Sequence, residues 1–379
     1  MAGLRGASGL APGARSGGVP DLGQGLRPAS WLEVNRAATV AVVLLVLLLP
    51  VLVPGSGYLH YLVALMAIWG IGALGLNLLI GVAGQISLGH AGFMAIGSYT
   101  TALLASKVGV NFVVALLGAA LVTGAVGFLM GLPALRLHGH YLALASISFG
   151  AAVPEIVLQW DTLTGGHAGV LVSRPALGPW ELATERHMYY MAWGATFILM
   201  GIAANLLRSR VGRALMILRE SDVLAQALGI NLVTYKTLAF TVSAVYAGIA
   251  GGLYAYLVGF ISPFDFTLTS SIGLLAMIVC GGLASVPGSV LGAAALTGLL
   301  QTFSRMPGWL SIIEGAIIVL FAMFLPGGLV SIPARLRGWW LGPRARSRDV
   351  PTAALPSAAA SDPPVPGSEG VAGDAAAGR

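Results

Sequence analysis

Charged side chains are missing from a long stretch near the start of this chain: no Asp, Glu, Lys or Arg occurs between Arg36 and Lys107. A charged residue at the centre of a bilayer costs at least about 2.5 kcal/mol, whereas soluble domains carry charge on about a quarter of their residues. Over all 379 residues only 9% are charged and 57% are hydrophobic. This scarcity of charge excludes an ordinary soluble domain and indicates that most of the chain lies in a membrane.

Cysteine and lysine are also scarce, and their scarcity excludes several kinds of functional site. The single cysteine, Cys280, cannot form a disulfide within the chain or a cysteine metal cluster. Neither lysine follows a glycine, so the chain lacks a G-x-x-x-x-G-K-[ST] phosphate loop, and it also lacks H-E-x-x-H. We therefore predict no enzyme activity, no metal and no cofactor. The net charge of +6 comes mainly from arginines that flank apolar runs, so it does not indicate binding to nucleic acid.

Apolar runs recur along the chain, and a perpendicular span needs about 20 apolar residues. The runs are Ala37–Val53, Tyr58–Ile80, Ala91–Ser106, Asn111–Leu132, Leu142–Leu158, Met188–Leu207, Leu238–Phe260, Ser270–Ala284, Pro287–Phe303 and Leu310–Leu325. We predict an all-α fold, a polytopic membrane helix bundle of about ten transmembrane helices, within a range of roughly eight to eleven. Several runs are short enough to be half-spans or broken helices.

Arginine positions predict the orientation of the bundle. Residues 1–36 and 335–379 are predicted to be a disordered N-terminal arm and a basic, then disordered, C-terminal tail, both cytoplasmic, around a membrane domain at 37–334. With the arm inside, the arginine-rich segment 208–236 also falls inside, as the positive-inside rule requires. The mixed-charge loop 159–187 then falls outside.

Glycine and polar residues interrupt the charge-free stretch near residues 81–92. Non-helical backbone at membrane depth survives only where protein or a watery cavity surrounds it. We therefore predict a broken or re-entrant segment here that lines a substrate path. The candidate path residues are Gly84, Gln85, Ser87 and His90. The alternative is that Gln85, Ser87 and His90 only form hydrogen bonds between helices, as polar side chains in membrane bundles commonly do.

The 208–236 segment predicts two short amphipathic helices. Four apolar residues recur at helical spacing in the first of them: Val211, Ala214, Leu215 and Leu218. Ser221 or Asp222 can cap a second helix at Val223–Leu228, which Gly229 would end as a C′ glycine. Such a pair can lie on the bilayer surface or dock on another protein, and periodicity alone leaves both alternatives open.

Three blocks of sequence resemble the LivM-type permease subunits of ABC importers for branched-chain amino acids. They are LGLNLLIGVAGQISLGHAGFMAIGSYTTALL, LPALRLHGHYLAL…WDTLTGGHAG and GRALMILRESDVLAQALGINLVTYKTLAFTVSAVYAGIAGGLYAY…ISPFDFTLTSSIGLLAMIVCGGLASVPGSVLGA. The resemblance implies that the third block contains the motif that couples such permeases to their ATPase subunits. The positions that match this motif are Arg213, Glu220, Asp222, Ala225 and Gly229.

The resemblance also implies partners, a substrate class and a location. The partners would be a second, LivH-like permease subunit forming a heterodimer, two ATP-binding subunits, an extracytoplasmic substrate-binding protein and the lipid bilayer of the bacterial cytoplasmic membrane. The alternatives are a permease for urea, amides or another small polar solute, and an ion-coupled secondary transporter. The last class needs a titratable site near the midplane, whereas Glu155 and Glu314 are both predicted to lie near the outer ends of their spans.

Overall fold

A computed structural model describes residues 56–133, 139–172, 185–303 and 328–331, with a few further positions near 46–53, 176–181 and 312–323. The predictions for the arm at 1–36, the tail at 335–379 and Glu314 lie outside the described residues. The first and last predicted spans are described only in part.

The described part of the chain is a helix bundle, which confirms the predicted all-α class. The α-helices are α1 Gly57–Asn77, α2 His90–Leu103, α3 Phe112–Gly131, α4 His140–Gln159, α5 Asp161–Thr164, α6 Glu185–Arg208, α7 Arg210–Glu220, α8 Asp222–Ala227, α9 Leu232–Val258, α10 Leu268–Gly281 and α11 Val286–Thr302. Two small antiparallel sheets pair β1 Val170–Leu171 with β4 Phe260–Ile261, and β2 Ala176–Leu177 with β3 Trp180–Glu181.

Five of the described helices are long and apolar enough to cross a membrane: α1 with its extension to Val82, α3, α4, α6 and α9. Helices α10 and α11 count as a sixth span at most, because they are bent by 119° at a short break. At 1.5 Å per residue, each is shorter than the roughly 30 Å hydrocarbon core. The described residues therefore do not confirm a count of ten, and the runs Ser270–Ala284 and Pro287–Phe303 form one bent pair.

Helices α1 and α9 form the centre of the bundle. The protein itself buries 78% of the most apolar window of α1 and 67% of that of α9, against 33% for α3 and 28% each for α4 and α6. The outer helices turn large apolar side chains away from the protein, such as Leu121 and Leu129 of α3. Because lipid tails are as apolar as these side chains, such faces are suited to the bilayer.

Glycine allows the central helices to approach each other closely. A Cβ atom at Gly97 of α2 would collide with the backbone of Gly248 in α9, and one at Gly292 of α11 would collide with the carbonyl of Met277 in α10. Helix association in membranes depends on this kind of close packing. Much of the high glycine content therefore serves contacts between helices.

Candidate functional site

The predicted interruption near residues 81–92 is present. Helix α1 continues into a π-helical turn, Leu78–Val82, and α2 begins at His90, so residues 83–89 are non-helical. We call residues 83–89 the first break. Its polar side chains lie inside the protein, because Gln85, Ser87 and the adjoining His90 are all at least 96% buried, whereas Gly84 and Ile86 are exposed.

Serine side chains from three helices surround the first break. Ser146 Oγ of α4 accepts a hydrogen bond from Leu88 N at 2.9 Å, and Ser271 Oγ of α10 accepts one from Ala91 N at 3.0 Å. Ser243 Oγ of α9 donates to the carbonyl of Gly75 at 2.7 Å. The first two bonds satisfy backbone N–H groups that the interruption leaves free, as membrane depth requires.

Several side-chain atoms at the first break are buried without a partner. Within the described residues, no hydrogen-bond partner is present for either amide atom of Gln85, for Ser87 Oγ or for His90 Nδ1. The other ring nitrogen of His90 lies 3.3 Å from Ser243 Oγ. Nearly all buried polar groups in proteins are hydrogen-bonded, so a cluster of unpaired ones at a single place requires an explanation.

A second break separates α10 from α11 at residues 282–285. Asn77 of α1 holds it with three hydrogen bonds. Asn77 Oδ1 accepts from Ala284 N at 2.6 Å, and Nδ2 donates to Ser285 O at 3.0 Å and to Ser289 Oγ at 2.7 Å. Ala284 has φ +63°, the one positive φ at a non-glycine residue in the described chain. Such a conformation costs about 1–2 kcal/mol, and the Asn77 side chain stabilises it.

Helix α7 forms as its apolar spacing predicts. Ser209 caps its N-terminus, and Ala214, Leu215 and Leu218 are buried against the bundle. Arg213 points away from this buried side and donates to the carbonyl of Arg208 at 3.1 Å. Glu220, at the end of α7, is also exposed.

Helix α8 ends at Gly229 in the predicted way. Gly229 has φ +75°, its N–H donates to Gln226 O at 2.9 Å, and Ile230 N donates to Ala225 O at 2.9 Å. This pair of bonds is the Schellman motif, which usually places glycine at C′. At the other end, the side chain of Ser221, rather than that of Asp222, caps the helix by accepting from Leu224 N.

The predicted coupling residues on α8 differ in their surroundings. Asp222 forms an ion pair with Lys236 of α9 at 2.7 Å, and the Lys236 side chain is only 9% exposed. Ala225 is fully buried. Both residues therefore hold α8 against the rest of the chain, whereas the exposed side of α8 presents Val223 and Leu228, which the sequence analysis did not single out. The sequence feature that indicates Val223 and Leu228 is the presence of apolar side chains on a short helix outside the predicted spans.

The first break touches α7, so the two predicted sites are neighbours. Arg219 Nη1 donates to the carbonyl of Gly81 at 2.5 Å. Gly84 has φ +69°, and a Cβ atom there would lie 3.1 Å from Arg219 Cα. Arg219 was not predicted from the sequence. Neither was Asn77, although it is the only asparagine between Arg36 and Lys107.

At the opposite end of α9, a short 3₁₀ helix at Pro263–Phe266 connects β4 to α10. Asp265 Oδ2 accepts a hydrogen bond from Ser262 N at 2.9 Å, which completes a capping box. Burial raises the pKa of Asp265, and this hydrogen bond opposes the rise. Asp265 is therefore a loop residue, while Glu155 lies on the exposed side of α4.

Comparison with known proteins is consistent with this architecture. Residues 58–325 match the family described as branched-chain amino acid transport system / permease component. The chain belongs to this family. It is 34% identical over 281 residues, 68% of this chain, to the high-affinity branched-chain amino acid transport system permease protein LivM of Salmonella typhimurium and to that of Escherichia coli.

The match spans 66% of the length of these two LivM proteins, slightly less than two thirds. LivH of Salmonella typhimurium is 24% identical over 69% of this chain and 90% of its own length. No solved structure matches the chain. Membership in the family, together with the long apolar helices, identifies the chain as a permease component of a membrane.

Proposed function

We propose that this chain is the membrane-spanning permease subunit of an ATP-driven importer of branched-chain amino acids in the bacterial cytoplasmic membrane. It would pair with a LivH-like permease subunit, receive energy from two ATP-binding subunits and receive its substrate from an extracytoplasmic binding protein. The observation that carries the proposal is the contact between Arg219 of α7 and Gly81, because it joins a surface helix pair directly to the interrupted centre of the bundle.

The first break supplies the substrate path in this proposal. Gln85, Ser87 and His90 carry buried polar atoms without partners among the described residues. An unsatisfied buried group costs about 1–3 kcal/mol, so a polar solute that bonds to these atoms during passage would recover part of that cost. Gly84 lies in the same break, and its positive φ allows the close approach to α7.

Helix α8 supplies the contact with the ATPase in this proposal. Val223 is 77% exposed and Leu228 is 60% exposed, and both lie between two membrane-spanning helices at the cytoplasmic side that the arginines predict. Apolar side chains on a helix that its own chain does not cover favour insertion into a groove of a partner. Arg213 and Glu220 are exposed on the preceding helix α7, and the Schellman turn at Gly229 fixes the end of α8.

Selectivity would rest mainly with the external binding protein. The four helices that border the two breaks, α1, α2, α10 and α11, contain no charged residue. An amino acid carries two opposite charges, and desolvating each costs several kcal/mol unless the site compensates. The permease should therefore bind its substrate weakly, and the binding protein should dock on the 159–187 side.

Uptake into vesicles tests the proposal. Vesicles that contain the full complex should take up leucine only with ATP on the ATPase side and binding protein on the other side. Parallel trials with urea and ribose, each with a matched binding protein, check the substrate class. Uptake driven by an ion gradient without ATP would contradict the importer, uptake of urea alone would overturn the substrate, and tight leucine binding to the isolated permease would contradict the weak site.

Labelling of introduced cysteines tests the orientation. The native Cys280 is buried, so it gives little background. A thiol-reactive reagent applied from outside should reach cysteines introduced within 165–185 but not within 221–229. Labelling of the second group from outside would invert the topology and remove the basis for docking at α8.

A further inference from the structure

Three separate parts of the chain meet around the end of α1. Arg219 of α7 bonds to the carbonyl of Gly81. Gly81 lies one turn beyond Asn77, and the π-helical turn Leu78–Val82 connects them. Asn77 in turn bonds to Ala284, Ser285 and Ser289 at the second break. These hydrogen bonds, joined by the backbone between Asn77 and Gly81, therefore connect α7 with the second break.

We propose that Arg219 and Asn77 are positioning residues that link movement of α7 to the second break through the end of α1. The inference rests on the proposed function in one respect, the docking of an ATPase at α8. The contacts themselves do not depend on that docking. A displacement of α7 would pull on the Gly81 carbonyl, and Asn77 would pass the displacement on to residues 284–289.

The contact between α7 and α1 is tight on two sides. A Cβ at Gly84 would lie 3.0 Å from Arg219 Cγ and 3.1 Å from Arg219 Cα, so the backbone of the first break rests against the backbone of α7. The guanidinium also lies at the C-terminal end of a helix, where free carbonyls and the helix dipole favour a cation. Helix α7 therefore has little room to move independently of the end of α1.

The contact between α1 and the second break is equally tight. A Cβ at Gly81 would collide with Asn77 Oδ1 and with the backbone nitrogen of Ala284. The Asn77 side chain and the backbone of the second break therefore occupy the space that a single methyl group would need. Rigid contacts of this kind transmit displacement because packed interiors have low compressibility.

Two local features indicate that the contact between the end of α1 and the second break can change shape. The end of α1 is a π-helical turn, and such turns occur frequently at functional sites. Ala284 holds a positive φ that Asn77 stabilises by a hydrogen bond to its N–H. Strained backbone held by a neighbouring side chain is common in elements that switch between conformations.

The first experiment needs neither ATPase nor substrate. Hydrogen exchange of the backbone at 282–289 is measured in the purified full-length chain for wild type, Arg219→Ala and the control Arg210→Ala, which removes an exposed arginine from the same helix. We expect Arg219→Ala to accelerate exchange at 282–289, which it does not touch, and Arg219→Lys, which keeps a donor, to restore most of the protection. Equal exchange in Arg219→Ala and Arg210→Ala would overturn the link, whatever the transported substrate.

The second experiment uses the full complex in vesicles and measures uptake per ATP hydrolysed. We expect Arg219→Ala and Asn77→Leu each to lower this ratio by about tenfold, within the range typical of coupling between sites. The double variant should be no worse than the more severe single variant, because both break one link. If the double variant instead lowers the ratio by the product of the two single losses, Arg219 and Asn77 act independently, which would contradict the proposal.

Ser289→Ala covers the possibility that Asn77→Leu prevents folding. It removes one of the three bonds of Asn77 and should lower the ratio by a smaller factor. A folded Ser289→Ala complex with accelerated exchange at 282–289 and an unchanged ratio would show that the second break is not part of coupling. A wild-type complex without ATP-dependent uptake would refute the importer, while the exchange result would still decide the link.

Discussion

The two breaks in this bundle differ in how their polar groups are satisfied. At the second break, residues 282–285, Asn77 uses both ends of its side-chain amide to bond the irregular backbone. At the first break, residues 83–89, the backbone finds serine partners, but the Gln85 amide atoms and the Ser87 hydroxyl have none among the described residues. The second break is held by Asn77, whereas the first keeps unpaired polar groups, as the proposed substrate path requires.

A third region, α8, differs from both breaks because its apolar side chains, rather than polar groups, lack a partner within the described part of the chain. Its apolar side chains are exposed and its small residue Ala225 is buried, so its surface is satisfied only when something covers it. Substitutions should therefore cost the most stability where α1 meets the second break, and the least on the exposed surface of α8.

The largest expected loss is at Gly81, between the two breaks. Gly81→Ala should lower the free energy of unfolding by about 3 kcal/mol, since the added methyl collides with Asn77 Oδ1 and the backbone of Ala284 and a packed interior cannot yield. Thermal unfolding in detergent measures the loss. Gly194→Ala is the control: it lies inside α6 with nothing near the added atom, and it should gain about 0.5–1 kcal/mol. Equal stability of the two variants would contradict the tight junction.

The next prediction compares the two breaks directly. Asn77→Leu should cost about 2 kcal/mol, because the Ala284 N–H loses its buried partner. In Gln85→Leu the new side chain is similar in size to the one it replaces, and no side-chain hydrogen bond among the described residues is lost. The free energy of unfolding should therefore be unchanged or slightly higher.

Transport separates these two variants further. Gln85→Leu should lower uptake although the protein is stable, because the polar atoms offered to the solute are gone. A destabilised Gln85→Leu protein would show that Gln85 bonds to the bundle, and normal uptake would remove it from the substrate path.

Local features of the bundle were predictable from the sequence. The buried side of α7, the C′ glycine at 229 and the interruption near 81–92 all follow from neighbouring residues, since periodicity, capping and glycine act within a few positions. The position of the first break was therefore predicted correctly, while the role of Gly84, Gln85, Ser87 and His90 in transport remains a prediction.

Contacts between distant segments were not predictable in this way. Asn77 and Ser289 are 212 positions apart, and the pattern of apolar residues does not encode which helix end faces which break. The described residues do not confirm the predicted count of ten spans, for a related reason. An apolar helix of 14 residues such as α10 fits both a short span and one arm of a bent pair, and only the 119° angle between α10 and α11 distinguishes them.

A smaller effect is expected at the end of α8. Gly229→Val should lower stability by about 1 kcal/mol, because a β-branched residue tolerates the left-handed conformation poorly. Gly229→Asn should cost less, since asparagine is the next most common residue at such helix ends. We expect the valine variant to reach the membrane but to co-purify with less ATPase than the asparagine variant. Full ATPase recovery with valine would count against a docking role for this turn.

The smallest effect on stability, with a large effect on assembly, is expected at Val223. Because its side chain is 77% exposed, Val223→Asp should change the free energy of unfolding by less than about 0.5 kcal/mol. If an ATPase groove covers this side chain, the carboxylate must be desolvated there without a partner, and the affinity should fall at least about tenfold. Titration of the purified permease with its ATPase measures this affinity.

Val108→Asp is the matched control, since Val108 is 65% exposed beside Lys107 at the predicted outer side. This variant should bind the ATPase as wild type does. If Val223→Asp instead binds the ATPase normally but releases α8 from lipid vesicles, the helix lies on the bilayer. The membrane, rather than a partner protein, would then cover the exposed surface of α8.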